Sequence, residues 1–194
     1  MSRNLEIEVK GLLSKEEYEK IIHGFPNENP YVQINYYIDT KDFEIKSNKC
    51  GLRIRFKDDK YELTLKVTQK EGKLEINQNL SKNDYDLFGN CGVFPSGEVK
   101  DYLEQILHVD ISKLFIFTSM ETTRLDVPFE GSLISIDKSI CLGEIDYEIE
   151  CESISLEKAQ NDIEKFLKIY NLKYIKFASS KLKRAMEIYL KDRR

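Results

Sequence analysis

Charged and apolar side chains alternate with a period of two in stretch after stretch of this chain, and a chain so patterned has few options other than an antiparallel sheet. The stretches are Asn4 to Gly11, Val32 to Thr40, Gly51 to Lys57, Tyr61 to Thr68, Lys73 to Leu80, Leu114 to Leu125, Ser132 to Ser139 and Gly143 to Cys151. Each has the length of an ordinary strand. Asp58-Asp59, Glu71-Gly72, Glu130-Gly131 and Leu142-Gly143 supply tight connections between them, so most neighbours are hairpin partners.

Helical spacing falls between and after the strands. Ser14-Lys15-Glu16-Glu17 is a capping box, which predicts a helix to about Ile22. A short helix starts at Ser81, another spans about Glu98 to Leu107 behind the Pro95-Ser96-Gly97 turn, and Ser155 caps a helix through Tyr170. Phe177 to about Lys191 again carries apolar residues at helical intervals. Its cations Lys183, Arg184, Lys191, Arg193 and Arg194 read as a solvated face.

The strand faces decide the architecture. Glu6, Glu8 and Lys10 share one face, against Leu5, Ile7 and Val9 on the other. Arg53 and Arg55 oppose Leu52, Ile54 and Phe56; Glu62, Thr64 and Lys66 oppose Leu63, Leu65 and Val67; Glu75, Asn77 and Asn79 oppose Leu74 and Ile76. Glu144, Asp146, Glu148 and Glu150 oppose Ile145, Tyr147, Ile149 and Cys151, and Asp137 and Arg124 complete the set. An open sheet with one wet face gives the same alternation. The amphipathic helices, however, need an apolar partner, and the apolar strand faces are the available one. The expectation is therefore an α+β fold: an eight-stranded closed antiparallel β-barrel, a tunnel with a charged interior and helices packed outside.

Buried charges are costly unless paired, so such an interior calls for a ligand. Lys10, Arg53, Arg55, Lys66 and Arg124 suit a polyanion, and Glu6, Glu8, Asp137, Glu148 and Glu150 suit a hard divalent cation such as Mg2+ or Mn2+. The 194 residues are expected to form a single domain. A net charge of −4, from 30 basic and 34 acidic residues, gives no broad basic field for nucleic acid. Apolar runs are too short for a signal peptide or membrane span, so a cytoplasmic protein is expected, and nothing sets its oligomeric state. Cys50, Cys91, Cys141 and Cys151 lack C-x-x-C spacing and His23 and His108 lie far apart, which excludes a zinc site by spacing and reads as reduced thiols.

Glu6-Ile7-Glu8-Val9-Lys10 resembles the E-x-E-x-K signature of the CYTH, or triphosphate tunnel metalloenzyme, superfamily, which includes class IV adenylyl cyclases and thiamine triphosphatases. The remaining motifs follow in order: Tyr37-Ile38-Asp39-Thr40, Arg53-Ile54-Arg55, Lys66 in Leu63-Thr64-Leu65-Lys66, Glu75, Thr123-Arg124-Leu125, Asp137, Glu148-Ile149-Glu150 and Ser180-Lys181. The resemblance implies triphosphate binding by Lys10, Arg53, Arg55, Lys66, Arg124 and Lys181. It also implies metal coordination by Glu6, Glu8, Asp137, Glu148 and Glu150, with Glu75 and Tyr37 as further tunnel residues. Lys10, Arg55 and Glu148 are the expected catalytic groups. Asn77 departs from the pattern, standing where many relatives carry a second acid.

The activity expected is metal-dependent hydrolysis of tripolyphosphate, thiamine triphosphate or another small triphosphate, with release of orthophosphate. The alternatives are a class IV-type adenylyl cyclase that converts ATP to cyclic AMP and pyrophosphate, and a noncatalytic sensor of polyphosphate or nucleotide.

Overall fold

The computed structural model of the protein describes residues 2–177 and 179–193; Ala178 and Arg194, which the sequence assigned to the C-terminal helix and its basic end, lie outside the described residues. The elements run β1 (Ser2–Glu6), β2 (Glu8–Leu13), α1 (Lys15–Ile22), β3 (Tyr31–Asp39), α2 (Glu44–Ser47), β4 (Cys50–Lys57), β5 (Lys60–Thr68), β6 (Lys73–Leu80), α3 (Lys82–Cys91) and α4 (Glu98–Gln105). A 3-10 turn at Ile111–Lys113 leads into β7 (Phe115–Phe129), β8 (Ser132–Cys141), β9 (Glu144–Glu152), α5 (Leu156–Ile169) and α6 (Lys181–Asp192).

The fold is α+β, as expected, but the closed eight-stranded barrel is not what forms. Among the described residues there are nine strands in the order β1-β6-β5-β4-β3-β7-β8-β9-β2, so the hydrogen-bonded sheet has two ends. The first expected strand is two strands, interrupted at Ile7: β1 pairs with β6 and β2 pairs with β9. Alternation is a property of each strand alone and says nothing about whether the first and last strands of a sheet pair, so closure was beyond its reach. The C-terminal helix also starts later than its apolar spacing indicated, at Lys181, and α2 was not foreseen.

Internal contacts divide the chain into two compact units: Met1–Glu6, Gln33–Met120 and Ala185–Arg194 form one, and Ile7–Val32 and Glu121–Arg184 the other. In the first unit Ile38, Leu52, Ile54, Leu63, Leu65 and Ile76 of the sheet pack with Ile45 of α2, Phe88 of α3 and Val99 and Leu103 of α4. In the second, Val9, Leu125, Ile134, Ile136, Ile149 and Cys151 pack with Ile21 of α1 and Ala159, Ile163, Phe166 and Leu167 of α5. Each fully buried Ile, Leu or Phe contributes about 1.5–3 kcal/mol. A one-residue slip of any strand would forfeit that and press its charges against a helix, so the register is fixed and the charged strand faces lie opposite the apolar ones that meet these helices.

Local chemistry sets the joints. Ser14, Ser81 and Ser155 all cap their helices through the hydroxyl, Ser14 and Ser81 with a reciprocal acid at Glu17 and Asp84. Asp58 and Asp59, Glu130 and Gly131, and Leu142 and Gly143 all have positive φ, which matches the twist of two-residue hairpins. Asp39 and Thr40 build the start of α2: the buried Asp39 carboxylate accepts from the backbone N–H of Thr40 (2.8 Å), Ile45 (2.9 Å) and Lys46 (3.2 Å), and Thr40 Oγ1 from that of Glu44 (3.1 Å). That pair is structural. Among the described residues no helix is long and apolar enough to cross a membrane.

Candidate active site

The polar face of the second unit gathers most of the expected site residues. Antiparallel register places Lys10 opposite Glu150 across β2 and β9, Asp137 opposite Glu148 across β8 and β9, and Arg124 opposite Asp137 across β7 and β8. Directly opposed residues share a face, so three carboxylates and two cations converge without any loop to carry them. One oxygen each from Asp137, Glu148 and Glu150 lies within 4.8 Å of the others.

Cations hold the three together. Arg124 forks onto Asp137, with Nε to Oδ1 at 2.7 Å and Nη2 to Oδ2 at 2.6 Å, and also donates to Glu150 Oε2 at 2.6 Å. Lys10 Nζ bridges Glu8 Oε1 (2.7 Å) and Glu150 Oε1 (3.1 Å). Lys181 touches all three acids: its Nζ is 2.8 Å from Asp137 Oδ2, 3.0 Å from Glu150 Oε1, and bonded to Glu148 Oε1. Lys181 is delivered by the irregular segment before α6, which is pinned to β2 where Phe177 N–H (2.9 Å) and Tyr174 OH (3.2 Å) both donate to the Lys10 carbonyl. Gly11 makes that approach possible, because a Cβ there would lie 2.9 Å from the Ile175 carbonyl oxygen.

The electrostatics split the acids. Burial pushes Glu148 up to about 7, against the pull of Lys181 and with Glu150 adding to the rise. Glu150 is partly buried and desolvation raises it too, yet Lys10, Lys181 and Arg124 hold it well below the usual carboxylate range. Burial works against the charges of Lys10, Lys181 and Arg124 too, but the surrounding carboxylates raise all three. Two neighbouring acids with opposite displacements give the patch one group that is fully ionised and one that exchanges a proton near neutrality.

The donor set fits a hard divalent cation. It is all carboxylate oxygen, which suits Mg2+ or Mn2+ and not a thiophilic metal. Buried Glu148 Oε2 makes no hydrogen bond: Arg184 Nη1 lies 2.7 Å away as an ion pair without hydrogen-bond alignment, so this carboxylate keeps acceptor capacity that hydrogen bonds do not use.

In the first unit a second charged cluster forms. Lys66 Nζ contacts Glu6 (2.7 Å to Oε2) and Glu75 Oε1 (2.6 Å), and Lys73 lies 3.9 Å from Glu6. Arg55 Nε donates to Asn35 at 3.0 Å, while Arg53 Nε is buried without a hydrogen bond. Tyr37 is buried, stacked on Phe117 at 6.4 Å between centroids. Asn77 is a satisfied amide: it accepts from Thr64 (2.8 Å) and donates to Asn4 (3.1 Å). Of the expected metal ligands, then, Asp137, Glu148 and Glu150 form the triad, Glu8 joins them through Lys10, and Glu6 belongs to the Lys66 cluster.

Glu75 yields a pH prediction. Burial would raise its carboxyl, but Lys66 and then Arg53 hold it at about 2, against an ordinary 4.5. A depressed acid stabilises the fold above its unfolded value and loses that contribution as pH falls through 4.5 toward 2. Glu75→Gln is expected to cost on the order of 2 kcal/mol at pH 7 in denaturant unfolding. The difference from the parent chain should vanish by the bottom of that window; an equal deficit at both ends would reject the ion-pair account.

Two polar groups of the second unit escaped the sequence reading. Asp126 accepts from Tyr31 OH (2.7 Å) and Ser135 Oγ (2.6 Å) on the same face as Arg124. Arg184, dismissed as a surface cation, is 9% exposed and lies 2.7 Å from Glu148 Oε2. Its spacing of three from Lys181 on one helix was the available signal.

The model of the CYTH domain family matches residues 4–185. A Bacillus subtilis (strain 168) protein, YjbK, whose name provisionally assigns it as a triphosphatase, is 37% identical over 174 residues, 89% of this chain and 90% of that protein. A crystal structure from Bacillus halodurans, provisionally assigned as an adenylate cyclase, superposes with a TM-score of 0.87 at 35% identity, over 95% of this chain and 98% of that one. A Hippeastrum protein named provisionally as an adenylyl cyclase, with a dominant triphosphatase activity, shares the fold at a TM-score of 0.78 and 20% identity, over 94% and 96% of the two chains.

Proposed function

The chain belongs to the CYTH domain family, and from that premise we propose that it is a divalent-metal-dependent triphosphatase, acting on inorganic triphosphate or a small organic triphosphate and releasing orthophosphate. The observation that carries this reading is the convergence of Asp137, Glu148 and Glu150 with Lys10, Arg124 and Lys181 on one buried patch. A pure anion binder gains nothing from carboxylates beside its ligand, whereas metal-assisted phosphoryl transfer uses both charges. The name of the Bacillus subtilis relative supports the same activity. The family match runs through most of the chain and supports reading residues 1–194 as one functional domain.

Asp137, Glu148 and Glu150 would hold Mg2+ or Mn2+, which when bound supplies Lewis-acid neutralisation of phosphate charge. Lys10, Arg124 and Lys181 would exchange carboxylate partners for phosphate oxygens, which keeps their charges compensated as the substrate arrives. In hydrolysis a water oxygen attacks the terminal phosphorus, the bridging P–O bond breaks, and the displaced diphosphate takes the electron pair. The proton that the water gives up would pass to solvent or a phosphate oxygen; Glu148, whose rise to about 7 belongs to the chain without metal, would serve this step as a metal ligand. Assignment of Arg53, Arg55 and Lys66 to the same substrate rests on the sequence resemblance. Arg55→Ala tests it: the loss of a charge-assisted contact should lower kcat/KM by about 10- to 100-fold, with Mn2+ affinity unchanged. An unaltered kcat/KM would remove Arg55 from the site.

The decisive experiment presents tripolyphosphate, thiamine triphosphate and ATP with Mg2+, Mn2+ or Ca2+ and identifies the products. Orthophosphate from at least one triphosphate is expected. Cyclic AMP and pyrophosphate from ATP would instead establish the cyclase reading, which the name of the Bacillus halodurans protein favours. Tight binding without turnover under every metal would establish a sensor.

A further inference from the structure

The Arg184 guanidinium is immobilised from several directions. It forks onto Asp146, with Nε to Oδ2 at 2.8 Å and Nη2 to Oδ1 at 3.3 Å; Nη1 donates to the Ser179 carbonyl at 2.9 Å; and the Phe177 ring lies 5.6 Å from Cζ. A planar cation held by a carboxylate fork, a carbonyl and an aromatic ring has lost most of its freedom before it meets a further partner. That partner is Glu148: Nη1 lies 2.7 Å from Oε2, an ion pair that lacks hydrogen-bond alignment. Lys181 takes the other oxygen, Oε1. The two carboxylate oxygens of Glu148 are thus claimed by different residues of one helical turn, of which Arg184 is the anchored one.

We infer that Arg184 is a positioning residue, which fixes the rotamer of Glu148 so that its carboxylate faces Asp137 and Glu150 in the metal-binding arrangement. The inference rests on the functional reading above. Its physical basis is that a carboxylate ligand retains rotational freedom that metal binding must remove, and a rigid partner on the oxygen turned away from the metal removes it in advance. Lysine in place of Arg184 keeps the charge but cannot fork onto Asp146 and reach Glu148 together. Asp146 acts through the guanidinium.

The opposing account is that Arg184 merely tethers the start of α6, and the two make opposite predictions. If Arg184 were only a tether, its loss would free Lys181 from the acidic triad and strengthen metal binding. If it orients Glu148, its loss weakens binding by about tenfold or more. The experiment titrates Mn2+ into the whole chain by calorimetry, with free Mn2+ followed by electron paramagnetic resonance, for the parent, Arg184→Ala, Arg184→Lys and Asp146→Asn. All three variants should bind Mn2+ more weakly, and millimolar guanidinium should restore part of the affinity to Arg184→Ala. Unchanged or tighter binding in Arg184→Lys would overturn the inference, and that variant serves should Arg184→Ala not fold. Failure of the parent chain to bind Mn2+ would overturn the functional reading itself, together with the role given to Arg184.

Discussion

Glu148→Gln is expected to lower metal-dependent orthophosphate release by at least about 100-fold, because an amide is a poorer ligand for a hard divalent cation than the carboxylate it replaces. The substitution is isosteric and leaves the strand pairing of Glu148 with Asp137 and Leu12 untouched. The fold should survive it for an electrostatic reason. An acid raised from 4.5 to about 7 binds its proton more tightly folded than unfolded, so in the metal-free chain its stabilising contribution is greatest at low pH and declines as pH rises through that interval. At neutral pH and without metal, a neutral amide at this position therefore removes an ionisation that the fold resists. Near-parental thermal unfolding in a chelator with collapsed turnover is the expected pair of results; parental turnover would sink the assignment of Glu148.

Lys181→Met should push two binding constants in opposite directions. Its ammonium meets Asp137, Glu148 and Glu150 together, at the point where a divalent cation would also be drawn. Without that internal cation the triad should bind Mn2+ about tenfold more tightly, while KM for tripolyphosphate rises by a similar factor through loss of a phosphate contact. The metal-free chain should lose about 3 kcal/mol, as expected when one partner of a buried ion cluster is removed, and Mn2+ should recover much of it. Thermal unfolding in chelator and in Mn2+, with calorimetric titration, checks all of this. Weaker Mn2+ binding would mean that Lys181 supports the metal site and does not compete with it.

The cations at the start of α6 show where the chain is readable and where it is not. In the sequence only the resemblance of Ser180-Lys181 to a family motif marks Lys181, and Lys183, Arg184 and Lys191, set among apolar residues at helical spacing, read as a solvated face. A helical repeat ranks positions by face but cannot tell a face turned to water from one turned to a buried carboxylate. Asp39 is the converse: the sequence placed it in a family motif, and the fold uses it to cap α2.

What the amino-acid order determined by itself was local and periodic. It determined the strands, their hairpin turns at Asp58-Asp59, Glu130-Gly131 and Leu142-Gly143, the serine caps, and the segregation of Arg53, Arg55, Lys66, Glu148 and Glu150 from the apolar faces that meet the helices. Side-chain alternation and cap chemistry act over a few residues, so a few residues suffice to read them. Only the tertiary structure decided that the first strand breaks at Ile7 and pairs on two sides, that the sheet has nine strands with two ends among the described residues, that Glu6 goes to Lys66 while Asp137, Glu148 and Glu150 share Lys181, and that Arg184 is buried against Glu148. Those outcomes depend on partners far apart in the chain, where the energy of an ion pair is set by burial and distance, and neither quantity exists until the chain has folded.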